Sequence, residues 1–501
     1  MLGACRLPRA LQRCRERCHV GIAGINEYRA ITTNSSSSGL PRPRLNYRDV
    51  TDNTVFKSHN AFNRKAALPV GALLRINKLY EEQKTLSSTL NTRRHEQSLV
   101  GDRIKQVAKD AQRKQAVLQE AKALKSEISM LEGKLAEVDD ELFRLTLSVP
   151  NDTHPDTPIG PESVAVTLSE HGPPPLPATA SRDHVAVGRQ LGLLDLEAAA
   201  TVTGSSWYYL LQEGALLEMA LTNYALSIAV RRGFTPVTTP DVVRSDIAYR
   251  CGFQPRDPDS ATPVSQMYHV SNAIPGTSGA EENHLDLVLA GTAEIPLAGM
   301  FANKIFLPKQ LPVKVVGLGR AFRAEAGARG ADTRGLYRVH QFTKLELFVV
   351  AAEDQSEAIM NELRSVQTEI FEGLGLTFRV LDMPTEELGA SAYRKYDMEA
   401  WMPGRGKWGE ISSTSNCTDF QARRLHIRYR KDGSPADGLS ATTSFAHTLN
   451  GTAAAIPRLI VALLENGARF DDAGALVGLD LPNVLRPYWI GSAEGDKVRW
   501  V

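Results

Sequence analysis

The 501-residue chain has few cysteines, almost no net charge and no long apolar run. Its five cysteines form no CxxC pair, and three of them fall within the first 18 residues, so we expect neither a disulfide framework nor a zinc site. The 58 basic residues are balanced by 57 acidic ones, and no global field points to a nucleic-acid partner. No apolar stretch reaches the roughly 18 residues that cross a bilayer, so we expect a soluble protein with no membrane partner.

Two common phosphate-binding loops are missing as well. The chain has neither a Walker-type loop nor a GxGxxG loop, so a bound nucleotide would need another kind of site. At 501 residues the chain is long enough for two or three domains with a sizeable core.

The first 48 residues differ in composition from the rest of the chain. Within the first 30, six arginines stand against two glutamates, and a Ser-rich stretch follows. An Arg-rich, Ser-rich and acid-poor composition is typical of organellar transit peptides. We interpret residues 1–48 as a presequence and disordered leader. A disordered basic tail is the alternative.

Apolar residues in the next region follow a heptad pattern. Nine recur in alternating steps of four and three: Val117, Ala121, Leu124, Ile128, Leu131, Leu135, Val138, Leu142 and Leu145. A weaker set, with polar gaps, comprises Leu79, Leu86, Leu90, Val100, Ile104 and Val107. This period indicates a coiled-coil seam, and the two sets predict an antiparallel α-helical arm with its turn between Gly101 and Arg113. A helical bundle or a dimerisation coil would show the same period.

Pro150 ends the heptad region, and a stretch rich in Pro, Gly, Asp and Thr follows. We expect an arm domain at 49–150, a linker at 151–182 and a mixed domain of helices and strands at 183–501. Strands are predicted at 205–211, 312–325, 336–350, 376–382 and 408–414. Helices are predicted at 214–232, 354–374 and 456–467. Surface insertions are expected at “DSATPVSQ” and “NAIPGTSGAEENH”.

One predicted strand pair, “FRAEAGARGADTRGLYRVHQFTKLELF”, carries many charges. Arg323 and Glu325 stand two positions apart, and such residues share one face of a strand. The returning strand would place on one face Arg338, His340, Phe342, Lys344 and Glu346. These charges could pair with one another on a solvated face. The other explanation is a ligand, because burying unpaired charges costs several kcal/mol.

Three further segments supply polar groups that favour a ligand. They are “AGTAEIPL” with Thr292 and Glu294, “WGEISSTSNCTDFQARR” with Glu410, Ser413, Asn416 and Gln421, and “HTLNGTAAAIPRLIVALLEN” with Asn450, Thr452 and Arg458 at the start of a helix.

Five motifs in this order, behind a coiled-coil arm, resemble the seryl-tRNA synthetase family: “GTAEIPLAG”, “FRAEAG”, “DTRGLYRVHQFTKLE”, “GEISSTSNCTDFQARRL” and “HTLNGTAAAIPRLIVALLEN”. The similarity extends from about residue 70 to the C-terminus. The segment “FRVLDMPTEELGASAYRKYDMEAWMPGRGKWGE” and the Arg-rich leader are similar to the mitochondrial branch, which implies a mitochondrial matrix enzyme. One departure is the run Ala-Ala-Ala-Ile-Pro before Arg458, where many members are Gly-rich. Proline at a helix start is compatible with Arg458 staying in place.

The resemblance implies a class II synthetase fold of the α+β class, with an antiparallel sheet flanked by helices. It also implies a homodimer formed through “GFTPVTTPDVV” around Pro240, and a tRNA-binding role for residues 49–150. The implied reaction has two steps. Serine and ATP give seryl-adenylate and pyrophosphate, and the seryl group then moves to the 3′ end of tRNA(Ser). A catalytically inactive relative that binds tRNA, or a purely structural coiled-coil protein, is the alternative.

The resemblance also assigns site residues. The catalytic ones are Arg323, Glu325 and Arg458. Those for L-serine are Thr292, Ala293, Glu294, Arg323, Glu346, Asn450 and Thr452. Those for ATP are Arg323, Ala324, Glu325, Val339, Phe342, Glu410, Ile411, Ser412, Ser413 and Arg458. By the same resemblance, Glu410 and Ser413 would hold Mg²⁺ with ATP, while Phe342 and Arg458 would enclose the adenine ring.

Overall fold

The computed structural model describes residues 39–106, 110–253, 266–270, 286–325, 334–431, 442–492 and 497–501. Residues 1–38 of the predicted leader lie outside the described residues. So do nearly all of the first predicted insertion and the whole of the second.

The described α-helices are α1 (Tyr47–Asp52), α2 (Thr54–Asn63), α3 (Ala72–Gln106), α4 (Ala111–Leu147), α5 (His184–Gln190), α6 (Leu196–Val202), α7 (Glu213–Arg231), α8 (Ser245–Arg250), α9 (Glu294–Met300), α10 (Ser356–Gly373), α11 (Phe420–Leu425) and α12 (Ile456–Gly467). The described strands are β1 (Val166–His171), β2 (Leu194–Asp195), β3 (Tyr209–Leu210), β4 (Thr235–Thr238), β5 (Val242–Arg244), β6 (His269–Val270), β7 (Leu287–Leu289), β8 (Ile305–Phe306), β9 (Val313–Phe322), β10 (Gln341–Ala351), β11 (Phe378–Asp382), β12 (Arg394–Met402), β13 (Lys407–Asn416), β14 (Arg428–Arg430), β15 (Thr443–Phe445), β16 (His447–Ala455), β17 (Ala468–Phe470), β18 (Leu476–Leu481) and β19 (Val498–Trp500).

Helices α3 and α4 form the antiparallel arm. Ion pairs join Arg75 to Glu141 at the base and Arg103 to Glu120 towards the turn, so the two helices run in opposite directions. Helix α3 ends at Gln106 and α4 begins at Ala111, inside the predicted turn window. The heptad residues that are fully buried in the seam are Leu79, Leu86, Leu90, Val100, Leu124, Ile128, Val138 and Leu142.

Two of the polar gaps in the heptad pattern are filled by contacts between the helices. Gln83 Nε2 donates to Asp139 Oδ1 at 2.6 Å, and Arg93 Nε donates to Glu127 Oε1 at 2.9 Å. The gaps therefore hold cross-helix hydrogen bonds where an apolar residue would otherwise pack.

An eight-stranded sheet forms the centre of the second region, in the order β1-β11-β12-β13-β16-β10-β9-β4. Neighbouring strands are antiparallel except at one edge, where β4 runs parallel to β9. Successive residues of β10 point to opposite faces, so Leu347 and Val349 pack with α7, α10 and α12, whereas Phe348 and Val350 pack with α8, α9 and α11. Helices thus cover both faces of the sheet.

The predicted elements match the structure unevenly. The helix predicted at 456–467 has the same bounds as α12, but the strand predicted at 336–350 begins only at Gln341, and the one at 205–211 shrinks to Tyr209–Leu210. Strands β12 and β16 were not predicted. Asn450 and Thr452 therefore lie on β16, and only Arg458 lies on the helix.

Two segments near the predicted domain boundaries are packed against the rest of the chain. Within the predicted linker, β1 is an edge strand of the large sheet, paired with β11. In the last part of the predicted leader, Arg44 N donates to Arg423 O at 3.0 Å, and the Arg42 side chain lies 3.0 Å from Asp140 and over the Phe143 ring. The division of the chain into domains stays a prediction.

None of the described helices combines the length and the apolar character needed to cross a membrane.

Candidate active site

A polar cleft opens where the central strands of the large sheet meet the start of α12. Among its lining residues are most of those predicted for ATP: Arg323, Glu325, Val339, Phe342, Glu410, Ile411, Ser412, Ser413 and Arg458. Ala324 is not among them, and its N–H donates to Gln266 O at 3.0 Å. Of the residues predicted for serine, the cleft wall includes Arg323 and Thr452.

A β-bulge brings Glu410 and Ser413 to the same face of β13. Residues three apart in a regular strand point to opposite faces. The register of β12 with β13 slips between Met398–Ser412 and Glu399–Glu410, so Ile411 is the additional residue. The slip re-aims Glu410 towards the cleft, and bulges next to active sites commonly have this effect.

The same bulge leaves two predicted ATP residues facing away from the cleft. Ile411 is fully buried in the core, and Ser412 Oγ donates to Thr452 O at 2.6 Å behind the sheet. These two residues therefore line the cleft through their backbone.

Small residues on β9 let the “TAE” segment approach the sheet. Gly317 and Gly319 lie opposite Glu346 and Lys344 in the strand register. A Cβ at Gly317 would lie 2.8 Å from the Leu297 side chain, and one at Gly319 would lie 3.4 Å from Ala293 Cβ and 2.9 Å from Thr239. The two glycines therefore make room for α9 and for the segment that leads into it.

Arg458 and Glu410 form one wall of the cleft. Arg458 Nη1 lies 3.0 Å from Glu410 Oε2, and Arg458 Nε donates to Tyr337 O at 3.2 Å. Burial alone would raise the pKa of Glu410, but Arg458 and Lys395 outweigh it and lower the pKa to about 2. Glu410 is therefore ionised at any physiological pH.

Arg323 and Glu325 lie just beyond the end of β9, so they are not side by side in a strand as predicted. The Arg323 guanidinium lies 5.3 Å from the centre of the Phe342 ring, and burial followed by the nearby Arg458 lowers the pKa of Arg323. Glu325 has a left-handed backbone (φ 46°) and pairs with Arg338 at 3.2 Å. Non-glycine residues in this conformation are uncommon and gather at functional sites.

A second polar cluster adjoins the cleft and joins four residues of three segments. Lys344 Nζ lies 2.6 Å from Glu346 Oε2 and donates to Thr292 Oγ1 at 3.1 Å. Thr292 Oγ1 in turn donates to Glu346 Oε2 at 3.1 Å, and Glu346 lies opposite Thr452 in the register of β10 with β16. All four side chains are buried. Lys344 and Glu346 thus pair with each other, as the alternative to a ligand predicted, but the pair is buried and not on a solvated face.

Glu294, Ala293 and Asn450 extend this polar cluster, and all three are buried. Burial, and next the Glu346 carboxylate, raise the pKa of Glu294 to about 7, although Gln421 Nε2 donates to it at 2.6 Å. Asn450 Nδ2 lies 3.7 Å from Cys417 Sγ. The cluster therefore combines carboxylates with hydroxyl and amide groups.

Lys344, Tyr337 and Gln367 were not predicted as site residues from the sequence. Lys344 was expected only to pair with other charges on a solvated strand face. The alternation of polar and apolar residues along the strand does not predict that Lys344 is buried. The Tyr337 ring contacts both Arg405 and Arg458, whose guanidinium carbons lie 3.4 Å and 4.7 Å from the ring centre. Gln367 of α10 is fully buried and donates to Ser413 O at 3.0 Å and Thr452 O at 3.1 Å, so it ties β13 to β16 behind the site. No local sequence signal marks this glutamine.

Two family models match the chain. One, described as the tRNA synthetase class II core domain (G, H, P, S and T), matches residues 268–467, and one described as the seryl-tRNA synthetase N-terminal domain matches residues 58–153. The helix-flanked sheet and the first of these matches define a class II aminoacyl-tRNA synthetase.

Individual relatives narrow this class to one family. The chain is 39% identical over 447 residues to the serine–tRNA ligase of Treponema denticola, across 89% of this chain and 98% of that one. It is 40% identical over 449 residues to the mitochondrial serine–tRNA ligase of Schizosaccharomyces pombe, across 89% and 88%. The crystal structure of seryl-tRNA synthetase from Pyrococcus horikoshii complexed with ATP superposes with a TM-score of 0.77 at 33% identity, across 89% and 98%. The chain belongs to the seryl-tRNA synthetase family.

Proposed function

We propose that this protein activates L-serine with ATP and transfers the seryl group to tRNA(Ser). One observation carries the proposal: a buried cluster of hydroxyls and carboxylates lies against a cleft whose lining includes Arg323 and Arg458. The relative from Pyrococcus horikoshii was crystallised with ATP, and that from Naegleria fowleri with AMP. In this chain, the buried cluster suits a small amino acid and the cleft suits a nucleotide.

Arg323 is proposed to stabilise the activation step. The serine carboxylate attacks the α-phosphate, a bond forms between them, and pyrophosphate leaves. Negative charge builds on the phosphoryl oxygens during this step, so fixed cations contribute more than a nucleophilic side chain. A guanidinium can contact a phosphate and a carboxylate at once through its planar fork. The lowered pKa of Arg323 marks a buried cation that an anionic ligand would stabilise.

The nucleotide base is proposed to lie between Phe342 and Arg458, with Glu325 accepting from its amino group. Stacking and cation–π contact favour this arrangement. The Arg458 guanidinium lies over the Tyr337 ring and donates to the Glu410 carboxylate, so these two contacts hold it at the cleft wall. Val339 is buried beside the cleft and would close the apolar side of the base pocket.

Glu410 and Ser413 suit a magnesium ion that enters with ATP. Mg²⁺ prefers oxygen ligands, usually keeps several waters and needs few protein groups. Glu410 is ionised, and Arg458 occupies only one of its carboxylate oxygens. The ion would neutralise phosphate charge when bound. Ser413 shares the face of Glu410 because of the bulge.

The serine ammonium is proposed to bind Glu294 and Glu346, and the serine hydroxyl to bind Thr292, Thr452 and Asn450. A site that hydrogen-bonds a substrate hydroxyl strongly rejects the analogue without it, because its own polar groups stay unpaired. Glu346→Gln should therefore raise the serine KM about tenfold, the scale of one charged hydrogen bond, and leave the ATP KM within twofold. A raised ATP KM with unchanged serine dependence would show that the two pockets are wrongly divided.

The arm is proposed to bind tRNA, and β4 with Pro240 to form a dimer contact. Basic side chains near the arm turn, including Lys105 and Arg113, are largely exposed. Strand β4 is a sheet edge with three of its four residues exposed, and such edges accept a further chain. Sedimentation should give about twice the 54.8 kDa mass of one chain. A monomer at micromolar concentration would contradict the dimer.

The Arg-rich leader favours import into mitochondria. Relatives of mitochondrial and bacterial type match about equally well, so the leader carries this part of the proposal. The contacts of residues 40–44 with the folded protein favour cleavage before Leu40. A reporter fused to residues 1–39 should reach mitochondria, and a cytosolic reporter would contradict the localisation.

The proposed activity is tested by pyrophosphate exchange with each amino acid, followed by charging of tRNA(Ser). We expect exchange with serine and far less with alanine or threonine. A catalytically inactive tRNA-binding relative would bind tRNA but give no exchange with any amino acid. That result would replace the proposed function with the alternative.

A further inference from the structure

A buried histidine–glutamate pair lies outside the proposed contacts with ATP and serine. His184 of α5 and Glu465 of α12 have side chains that are 3% and 0% exposed. His184 Nδ1 lies 2.9 Å from Glu465 Oε1. Burying polar partners of this kind costs desolvation energy, so the contact is weak evidence for stability by itself.

Each partner also holds one backbone group of the cleft wall. His184 Nε2 accepts from Leu336 N at 3.2 Å, and Glu465 Oε2 accepts from Arg405 N at 3.0 Å. Because Nε2 accepts, the histidine carries its proton on Nδ1 and donates it to the glutamate. The pair therefore connects two segments that are about seventy residues apart in sequence.

These two backbone groups flank the stacked wall of the cleft. Tyr337 directly follows Leu336, and the centre of its ring lies 3.4 Å from the Arg405 guanidinium carbon and 4.7 Å from that of Arg458. Arg458 Nε donates to Tyr337 O at 3.2 Å. The position of Arg458 thus depends on Tyr337, and the position of Tyr337 depends on the backbone that His184 holds.

The chain between His184 and the cleft has little freedom. Gly335 has a φ of 75°, a left-handed conformation that favours glycine, and a Cβ added there would collide with His184 Nε2. Arg334 pairs with Asp183, the residue before His184, at 3.1 Å. The segment entering the cleft at residues 334–336 is therefore docked onto the start of α5.

We propose that His184 and Glu465 are positioning residues that hold the Tyr337–Arg405–Arg458 wall in place for the nucleotide base. The proposal rests on the proposed function for the identity of the nucleotide. Loss of the pair should weaken ATP binding and leave the proposed serine contacts unaffected, because Thr292, Glu346 and Thr452 have partners other than His184 and Glu465 in the part of the chain that the structure describes.

The test compares two histidines that make similar contacts. His171 on edge strand β1 also places Nδ1 2.9 Å from a glutamate, Glu372, and its Nε2 lies 2.8 Å from Ser169 Oγ. His171→Ala is therefore the matched control. For His184→Ala we expect the ATP Kd by calorimetry and the ATP KM in exchange to rise roughly tenfold, about 1.4 kcal/mol, with the serine KM within twofold. His171→Ala should change neither.

Glu465→Gln covers the case in which His184→Ala does not fold. Its amide oxygen can still accept from His184, but its NH₂ group cannot accept from Arg405 N. We expect a folded protein with an intermediate rise in ATP Kd. An unchanged ATP Kd in this folded variant, or equal rises for ATP and serine, would overturn the proposal. Calorimetry needs no turnover, so wild-type protein that binds ATP but gives no exchange would reject the proposed function alone.

Discussion

The arm and the cleft hold their charges in opposite ways. On the arm, Arg94–Glu132 and Arg103–Glu120 are pairs whose side chains are about half exposed. In the pocket, Lys344 and Glu346 are 10% and 2% exposed and lie 2.6 Å apart. Exposed pairs contribute about 0 to 1 kcal/mol, whereas buried charges must overcome a desolvation cost of several kcal/mol each.

This difference separates charges that keep a helix pair soluble from charges that are arranged for a ligand. The arm is stabilised by a narrow apolar seam, and its ion pairs can change at little cost. The cleft and pocket hold carboxylates whose pKa values are shifted in opposite directions: the pKa of Glu410 is lowered to about 2, and that of Glu294 is raised to about 7. Such opposed shifts are typical of functional sites.

The largest expected effect comes from removing a cleft cation. Arg323→Ala should lower serine-dependent pyrophosphate exchange by roughly two to three orders of magnitude, the scale of one preorganised electrostatic contact. Arg320→Ala is the matched control, since Arg320 lies on β9 only three residues before Arg323 but pairs with Glu218 away from the cleft. Near-normal exchange by folded Arg323→Ala would contradict the view that the buried cleft charges, unlike the arm charges, are arranged for a ligand.

The next effect is on tRNA. The arm has two apolar clusters, one at its root that includes Leu86 and Leu142, and one farther out that includes Leu90 and Ile128. Replacing residues 88–131 by a short linker removes the outer cluster and spares the root. Charging of tRNA should fall at least about tenfold and lose its salt dependence, because phosphate contacts are lost.

Pyrophosphate exchange should survive this deletion, since the arm contributes no residue to the cleft lining among the described residues. Unchanged charging would make the arm a packing element. Loss of exchange in a folded protein would mean that the arm supports the active site, and the two regions would no longer be separable.

Local patterns predicted the elements that depend on neighbours in sequence. The heptad steps from Val117 to Leu145 predicted α4 and its seam, and Pro457 at the start of an apolar run predicted α12. Strand β1 was missed because it lies in a Pro-rich stretch and becomes a strand only by pairing with β11. Such pairing is decided by partners more than two hundred residues away.

Most residues that the resemblance assigned to ATP line one cleft, but the sequence did not predict the geometry that brings them together. Glu410 and Ser413 were placed together by family resemblance, whereas strand alternation alone points them to opposite faces. The bulge at Ile411 that reconciles them has no signature in hydrophobic periodicity. Gln367 is a similar case, because its value lies in joining two strands that come together only in the fold.

A smaller effect is expected from pH. In the folded protein the pKa of Glu294 is raised to about 7, so the carboxyl is mostly protonated at pH 6 and mostly ionised at pH 8. The serine ammonium binds the ionised form of Glu294 better than the protonated form. Serine binding at pH 6 must therefore displace the proton from the Glu294 carboxyl. The serine KM should therefore rise several-fold, at most about tenfold, between pH 8 and pH 6, with little change in the ATP KM.

Gln421→Met sharpens this test. Gln421 donates to Glu294 and lowers its pKa, so removing the donor should move the midpoint of the serine KM profile to higher pH. A serine KM that is flat from pH 6 to pH 8 in wild-type protein would contradict the role of Glu294 in ammonium binding.

The smallest effect is expected from breaking a single arm pair. Arg103 and Glu120 join α3 to α4 with side chains that are 49% and 48% exposed. Arg103→Ala should change the free energy of unfolding by less than about 1 kcal/mol, because solvent screens the pair. Exchange should be unchanged, and tRNA charging should fall at most about twofold with a slightly smaller salt slope, since one cation among several is lost. The measurements are urea unfolding of the variant, exchange, and charging at two salt concentrations. Destabilisation by several kcal/mol would show that arm pairs are as tightly coupled to their surroundings as the Lys344–Glu346 pair, and charge burial would no longer distinguish the two regions.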